Sequence, residues 1–183
     1  MNKSSLTFVF IGITILTFIL GSWQLFRLNW KNDLMDNISN SIINPDLFSD
    51  DNNYDNLVSV KLDKNYSIID RPIFIESKTF KGRPGYHLIL PLKYNNQIYS
   101  VINFGWFLNK DSNQVKIIIK KYLDLNNPKV YIRDFNSDKP FFTPENDLLN
   151  NTWYSVNKND LDQFYQYKFP SKYYFVLLDD RVT

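Results

Sequence analysis

The sequence has no cysteine, a single histidine and only five glycines in 183 residues. Without cysteine, the chain can form no disulfide, no thiolate metal site and no thiol nucleophile. The lone histidine, His87, cannot by itself build a zinc or copper site. The scattered glycines form neither a phosphate-binding loop nor a Gly-x-Ser-x-Gly elbow. No enzyme signature therefore emerges from these residues, and a hydrolase that uses His87 stays open as a hypothesis.

The charge pattern argues against a nucleic-acid partner. The formal net charge is +2, and no block of basic residues stands out. Alanine is absent while Asn, Ile and Lys abound, which indicates an AT-rich genome, so clusters of Asn and Lys are not taken as motifs. The polar segment 44–56 lacks the glycine and the glutamate of a calcium-binding EF-hand loop. It is predicted to be a solvated connector.

One long apolar run lies near the N-terminus. Thr7 to Phe26 are 20 residues without a charge, which gives about the 30 Å that a helix needs to cross the hydrocarbon core. A cleaved signal peptide is the alternative, but the run is longer than usual and no clear cleavage site follows it. We therefore predict an N-terminus (1–6), a transmembrane helix (7–26), a connector (27–56) and a β-rich domain outside the bilayer (57–183). The flanking charges leave the orientation open.

Beyond residue 56, short segments with alternating apolar residues are typical of half-buried strands. Asn95-Asn96 predicts the tip of a hairpin between strands at Tyr86–Leu92 and Gln97–Phe107. Pro91 implies that the first of these strands has an edge position or a bulge. The other predicted elements are a turn at 81–85 and strands at Val58–Leu62, Ile73–Ile75, Lys129–Phe135, Thr152–Val156 and Tyr173–Leu178.

Two segments show helical spacing instead. Apolar residues recur in this way from Asp111 to Tyr122, where Asp111 or Ser112 supplies the cap, and again from Lys158 to Tyr167. Strands that pair locally, with two helices inserted, are typical of an antiparallel sheet or a small open barrel. The predicted fold class is therefore membrane-anchored α+β, mainly antiparallel β with about two short helices after one N-terminal transmembrane helix.

His87 and two aromatic clusters are candidate functional residues. His87 is either a hydrogen-bonded strand histidine or an axial ligand to haem, which needs only one or two such ligands. Gly105-Trp106 ends a strand, where glycine often permits close approach of the backbone. The membrane helix ends with Gly21, Trp23, Gln24 and Arg27. Residues three and four apart share a face of a helix, so this end either grips lipid head groups or makes a specific contact.

Five segments, in order and over nearly the whole chain, resemble the Surfeit locus protein 1 family. The family opens with a membrane helix ending in G-x-W-Q-x-x-R, matched by Gly21 to Arg27. A G-Y-H-x-x-x-P-L segment follows, matched by Gly85 to Leu92. The V-N-R-G-W strand of the family is matched at 101–106, with Phe104 in place of the arginine. The later matches are Phe142, Pro144, Asn146 and Asp147 of an F-x-P-x-N-D segment and the pair Trp153-Tyr154.

The resemblance implies an assembly factor for haem–copper cytochrome c oxidase that is not an enzyme and helps to deliver or insert haem a into the catalytic subunit. It implies that the partners are membrane lipid, cytochrome c oxidase subunit 1 and other assembly factors. The implied sites are His87 as a transient contact to haem a, and the motif residues Gly21, Trp23, Gln24, Arg27, Gly85, Tyr86, Gly105, Trp106 and Trp153.

The resemblance also implies an orientation, with residues 1–6 in the cytoplasm and residues 57–183 extracytoplasmic. AT-rich coding and the lack of arginine before the apolar run favour a bacterial inner membrane with a periplasmic domain. The mitochondrial inner membrane is the alternative.

The chain departs from the family pattern in two places. The family carries a second membrane helix at its C-terminus, preceded by an Asn-His segment whose histidine is implicated in haem binding, and neither is found before Thr183. This predicts either a fragment or a truncated gene product. Phe104 weakens the expectation of an arginine contact to a haem propionate. The competing hypothesis is a membrane-anchored interaction domain without a cofactor, and a haem titration separates the two.

Overall fold

The structure, a computed structural model, describes residues 3–135 and 142–178. It opens with helix α1 (Lys3–Ile43), whose segment Thr7–Ile43 is a candidate membrane span, because it is long enough and contains an apolar stretch that can cross a membrane. The helix continues past the predicted end at Phe26, because residues 27–43 contain neither proline nor glycine and Pro45 is the first residue that opposes a helix. The chain is therefore membrane-anchored by α1. The predicted division into an N-terminus, a span, a connector and a domain stays a prediction.

The chain forms two compact units, residues 1–40 and 41–183, and the second unit contains a sheet. The described strands are β1 (Asp46–Leu47), β2 (Ser59–Lys61), β3 (Tyr66–Ile68), β4 (Ile73–Phe80), β5 (Arg83–Tyr94), β6 (Gln97–Phe107), β7 (Lys129–Asp134) and β8 (Tyr173–Leu177). They follow the order β1-β2-β7-β8-β6-β5-β3, and β4 also pairs with β5. The pairs β1–β2 and β6–β8 are parallel and the other pairs are antiparallel. The predicted mainly antiparallel α+β fold is confirmed.

Alternating side chains put two cores on the two faces of this sheet. Two helices cover them, α2 (Ser112–Leu123) and α3 (Lys158–Tyr165). Leu88, Leu90 and Leu92 of β5 lie in the core that contains the buried side chains of α2, whereas Ile89 lies in the core that contains those of α3. Both helices were predicted from their apolar spacing. The open sheet is strongly curved. Phe48 directly follows the edge strand β1, and its ring nevertheless contacts the ring of Tyr66 in β3, at the other edge.

The β5–β6 hairpin turns at Asn95 and Asn96 as predicted, and both residues have positive φ. Pro91, however, lies in an inner strand, since β5 pairs with β6 on one side and with β3 and β4 on the other. The carbonyl oxygen of Pro91 accepts a hydrogen bond from the N–H of Ile69, in the link between β3 and β4. The ring nitrogen faces the same side, where the ladder is interrupted and no donor is required. The irregular pairing predicted near Pro91 is found at Leu92.

The prediction of a regular strand at Thr152–Val156 was wrong. Within the described residues, this segment makes only isolated bridges, one of which joins Trp153 to Ile75. The N–H groups of Tyr154 (2.8 Å) and Ser155 (3.2 Å) donate to Oδ1 of Asn146. These two groups therefore bond to a side chain and not to the backbone of a neighbouring strand. The predicted turn at 81–85 is also shorter than expected, since β5 already begins at Arg83.

Candidate functional site

Five residues at one end of the β5–β6 hairpin form the candidate site, and we call them the His87 cluster. They are Gly85, His87, Asn103, Gly105 and Trp106. His87 and Trp106 are directly opposite each other across the antiparallel pair, and His87 also faces Ile75 of β4. Cross-strand partners share a face of a sheet. The sheet therefore brings two of the matched family segments, 85–92 and 101–106, together on one face.

A chain of two hydrogen bonds fixes the ring of His87. Gly105 has a φ of +88°, and its N–H donates to Oδ1 of Asn103 over 2.8 Å. This bond leaves the amide nitrogen of Asn103 to face Nδ1 of His87, at 3.2 Å. An amide nitrogen can only donate, so Nδ1 must accept and the proton of the neutral ring lies on Nε2. Among the described residues, Nε2 has no hydrogen-bond partner.

The surroundings of His87 favour this neutral form. The residue is half-buried in the sheet. Burial, followed by the positive charge of the nearby Lys78, lowers the pKa of His87 below its ordinary value of 6.5. A doubly protonated ring would also lose the hydrogen bond from Asn103, because both ring nitrogens would then be donors. His87 is therefore a neutral donor through Nε2–H at neutral pH.

This protonation state predicts a pH dependence that a single substitution removes. Because the folded-state pKa of His87 lies below 6.5, the unfolded chain binds a proton first as the pH falls. The free energy of unfolding is unaffected by this residue above about pH 6.5, and it decreases from there down to the folded-state pKa. Replacing His87 with Gln keeps an N–H donor and removes the titration.

The measurement is denaturant unfolding of the anchored chain in one detergent at several pH values, for wild type and for His87→Gln. The carboxylates titrate in both proteins, so the difference between the two curves isolates the histidine. We expect the wild type to lose stability relative to the variant on acidification below about pH 6.5. A difference that is independent of pH would contradict the assigned protonation state.

Gly85 and Trp106 pack against each other at contact distance. A Cβ atom built on Gly85 would lie 2.4 Å from the carbonyl oxygen of Phe107 and 2.5 Å from the indole ring of Trp106. The indole N–H donates to the backbone carbonyl of Lys78 over 3.2 Å. The ring of Phe80, which is about half exposed, lies 5.7 Å from that of Trp106. Glycine at position 85 thus makes room for an aromatic surface beside His87.

Tyr86 lies on the other face of the sheet, as expected from its place next to His87 in the strand. Its ring meets that of Phe74 edge-on at 6.3 Å, and the ammonium group of Lys110 lies 4.7 Å from the ring centre. Lys110 also forms an ion pair with Glu76. Tyr86 therefore belongs to a contact that joins β4, β5 and the segment before α2, and not to the His87 cluster.

Trp153 belongs to the core that contains the buried side chains of α3, which we call the second core. Its side chain is fully buried, and its indole N–H donates to Oδ1 of Asn151 over 2.8 Å. Its backbone carbonyl accepts a hydrogen bond from the N–H of Glu76 over 2.6 Å. Because Trp153 is bridged to Ile75, which itself faces His87, it supports the strand next to the His87 cluster without being exposed as a contact surface.

The motif at the end of the membrane span lies in the first unit. The guanidinium group of Arg27 lies over the ring of Trp23, 5.4 Å from its centre, so these two residues share a face of α1 as predicted. Gln24 is exposed. A Cβ on Gly21 would meet no atom within 4 Å, so nothing in the described part of the chain explains a glycine there.

Sequence reasoning missed two residues of the site. Asn103 was part of a matched segment, yet its role in fixing His87 depends on the bend at Gly105. No sequence pattern indicated a role for Lys78, because only the pairing of β4 with β5 brings it near His87. Phe104, where the resemblance leads one to expect arginine, is fully buried on the opposite face of the sheet and packs against Tyr122. Among the described residues, no group of three His, Asp or Glu side chains could hold a metal ion.

The chain is similar in sequence to proteins of one known family. The sequence model of the SURF1 family matches residues 11–181, a range that includes the His87 cluster. A SURF1-like protein of Rickettsia conorii is 27% identical over 171 residues, which cover 86% of this chain and 68% of that protein. One from Rickettsia prowazekii is 27% identical over 174 residues (87% and 68%), and one from Dictyostelium discoideum is 27% identical over 133 residues (64% and 48%). No solved structure matches this chain significantly.

Proposed function

This chain belongs to the SURF1 family, and on that premise we propose that it is an assembly factor for haem–copper cytochrome c oxidase. The observation that carries the proposal is the match to the family over residues 11–181, together with the gathering of two matched segments in the His87 cluster. The membrane anchor α1 supports it, because an oxidase subunit is itself assembled in a membrane.

The finer part of the proposal is that the chain helps to deliver or insert haem a into subunit 1 of the oxidase, as a transient carrier without catalytic activity. His87 does not fit the role of an iron ligand. A histidine that binds a metal through Nε2 normally donates its Nδ1–H to an acceptor, whereas here Nδ1 itself accepts from Asn103. The proposal therefore uses contacts of this chain to the organic part of haem and none to its iron.

We place the protein in a bacterial inner membrane with its β-rich domain in the periplasm, and the mitochondrial inner membrane is the alternative. Its proposed partners are membrane lipid, subunit 1 of the oxidase and other assembly factors. An alkaline phosphatase fused after residue 178 tests the orientation, because the enzyme is active only when it is exported. Activity supports a periplasmic domain, and an inactive but stable fusion would contradict it.

Deletion of the gene, in its host or in a surrogate bacterium whose own relative is removed, tests the function. We expect lower oxidase activity and lower haem a content in the membranes, restored by this chain, while haem b stays unchanged as an internal control. Unchanged oxidase spectra would overturn the proposal. A loss of activity with a normal ratio of haem a to subunit 1 would retain the assembly role and overturn haem delivery, which favours an interaction domain without a cofactor.

A further inference from the structure

The geometry points to a binding site for a carboxylate on a flat aromatic ligand, in which Nε2–H of His87 donates to the carboxylate. This inference rests on the proposed function for the identity of the ligand, a porphyrin that carries propionates. Lys78 supplies the opposite charge, and Asn103 acts as a positioning residue that keeps the proton of His87 on Nε2. A histidine that coordinates iron through Nε2 carries its proton on Nδ1, whereas His87 carries its proton on Nε2.

The orientation of the Asn103 amide follows from its two hydrogen-bond partners. The oxygen and nitrogen of an amide are hard to tell apart by shape, so their assignment depends on partners. Here the backbone N–H of Gly105, which can only donate, lies 2.8 Å from Oδ1. A flipped amide would place two donors against each other at that distance and would leave Nδ1 of His87 facing an acceptor. The backbone bend at Gly105 therefore determines the tautomer of a side chain on the neighbouring strand.

The groups around Nε2 of His87 determine what the site can recognise. A neutral Nε2–H without a partner among the described residues is a donor that can bind an acceptor. Lys78 is paired with Gly85, two residues from His87, and its positive charge acts on the ring of His87. A hydrogen bond to a charged acceptor is stronger than one between neutral groups. Phe80 and Trp106 next to these donors present aromatic rings 5.7 Å apart, of which Phe80 is about half exposed. Donors beside an aromatic surface suit a planar ligand with an acidic edge.

The tautomer can be measured directly, because the chain has one histidine and a ¹⁵N-histidine label gives the signals of one ring. The full chain in lipid nanodiscs is compared with its Asn103→Asp variant. We expect a bare Nδ1 and a protonated Nε2 in the wild type at neutral pH. A carboxylate at position 103 accepts from Gly105 and from His87 at once, so the variant should carry the proton on Nδ1. A protonated Nδ1 in the wild type overturns the inference, whatever the function of the protein.

The ligand is tested with metal-free protoporphyrin IX, its dimethyl ester and haemin, on the full chain in nanodiscs with the signal of empty nanodiscs subtracted. We expect protoporphyrin IX and haemin to bind with similar Kd. Esterification, His87→Leu and Lys78→Gln should each weaken binding roughly ten-fold, the effect of losing one hydrogen bond to a charged group. Lys116→Gln is the matched control, because Lys116 is exposed on α2, across the sheet.

Three results would overturn the ligand assignment. One is much tighter binding of haemin than of the metal-free porphyrin, with a Soret shift that His87→Leu abolishes, since this indicates coordination of iron. Another is equal binding of the acid and the ester. The third is no binding of either porphyrin. The oxidase-assembly proposal does not depend on these results, because the deletion experiment tests it separately.

Discussion

Replacing Trp153 with Ala is expected to lower the stability of the β-rich domain by about 3–5 kcal/mol, the usual cost of removing a large buried aromatic side chain. The side chain is fully buried among the residues of the second core, and the ring of Phe164 meets it edge-on at 5.3 Å. Alanine would leave a cavity and would also leave Oδ1 of Asn151 without its indole donor. Domains are stable by only about 5–15 kcal/mol, so this loss is a large share of the total.

Thermal unfolding of the anchored chain, followed by near-ultraviolet circular dichroism, measures this effect. For a domain of this size, we expect Tm to fall by roughly 10–20 °C. Leu149→Ala is the control, because the Leu149 side chain is almost fully exposed and its truncation should leave Tm unchanged. A Trp153→Ala protein with the Tm of the wild type would contradict this expectation, because it would show that residues 142–171 do not depend on this side chain for their packing.

Replacing Gly85 with Ala is expected to be the most damaging of the glycine-to-alanine changes, because Gly85 is the glycine at which an added Cβ would meet other atoms. The added Cβ would lie 2.4 Å from the backbone carbonyl of Phe107 and 2.5 Å from the indole of Trp106, distances at which the atoms overlap. A flexible side chain can move away, but the carbonyl is held in the β5–β6 ladder. Overpacking of this kind typically costs about 1–3 kcal/mol and occasionally more. We expect about 3 kcal/mol or more here, because a backbone atom is involved.

Two further variants identify the cause. Gly82→Ala adds the same methyl group at the tip between β4 and β5, where it would meet no atom within 4 Å. It should cost only about 1–2 kcal/mol, because Gly82 has a positive φ that alanine adopts unfavourably. Trp106→Ala in the Gly85→Ala background removes the indole and leaves the contact with the Phe107 carbonyl, so it should not restore stability. Denaturant unfolding of all four proteins provides the comparison. Equal losses for Gly82→Ala and Gly85→Ala would contradict the steric explanation.

Local sequence patterns predicted the elements whose formation depends on neighbours along the chain. The apolar run Thr7 to Phe26 predicted the membrane helix, and Asn95-Asn96 predicted the β5–β6 hairpin. The helical spacing of Val115, Ile118, Ile119 and Tyr122 predicted α2, in which all of these side chains but that of Ile119 are buried. These patterns work because hydrophobic periodicity and turn conformation are set within a few residues.

The remaining features depend on residues that are distant in sequence. The parallel pairing of β6 with β8 joins Ile102 to Phe175, and no local pattern distinguishes it from other partners. The wrong prediction of a strand at 152–156 has the same origin. The N–H groups of Tyr154 and Ser155 donate to the side chain of Asn146 and not to a neighbouring strand. In the candidate site, His87 and the two matched segments were found from sequence. The pairing of these two segments, the position of Lys78 near His87 and the tautomer of His87 could not be predicted, because they depend on how the strands of the sheet pair.

The most direct test of the central claim, that the His87 cluster is a functional surface of an oxidase assembly factor, is a complementation experiment with His87→Leu. Leucine fills the half-buried position without a donor, so the variant should fold and accumulate to the level of the wild type. The haem a content of membranes from the deletion strain is then measured per molecule of the expressed protein. We expect His87→Leu to restore much less haem a than the wild type or Leu149→Ala. Full restoration by His87→Leu at equal abundance would contradict it.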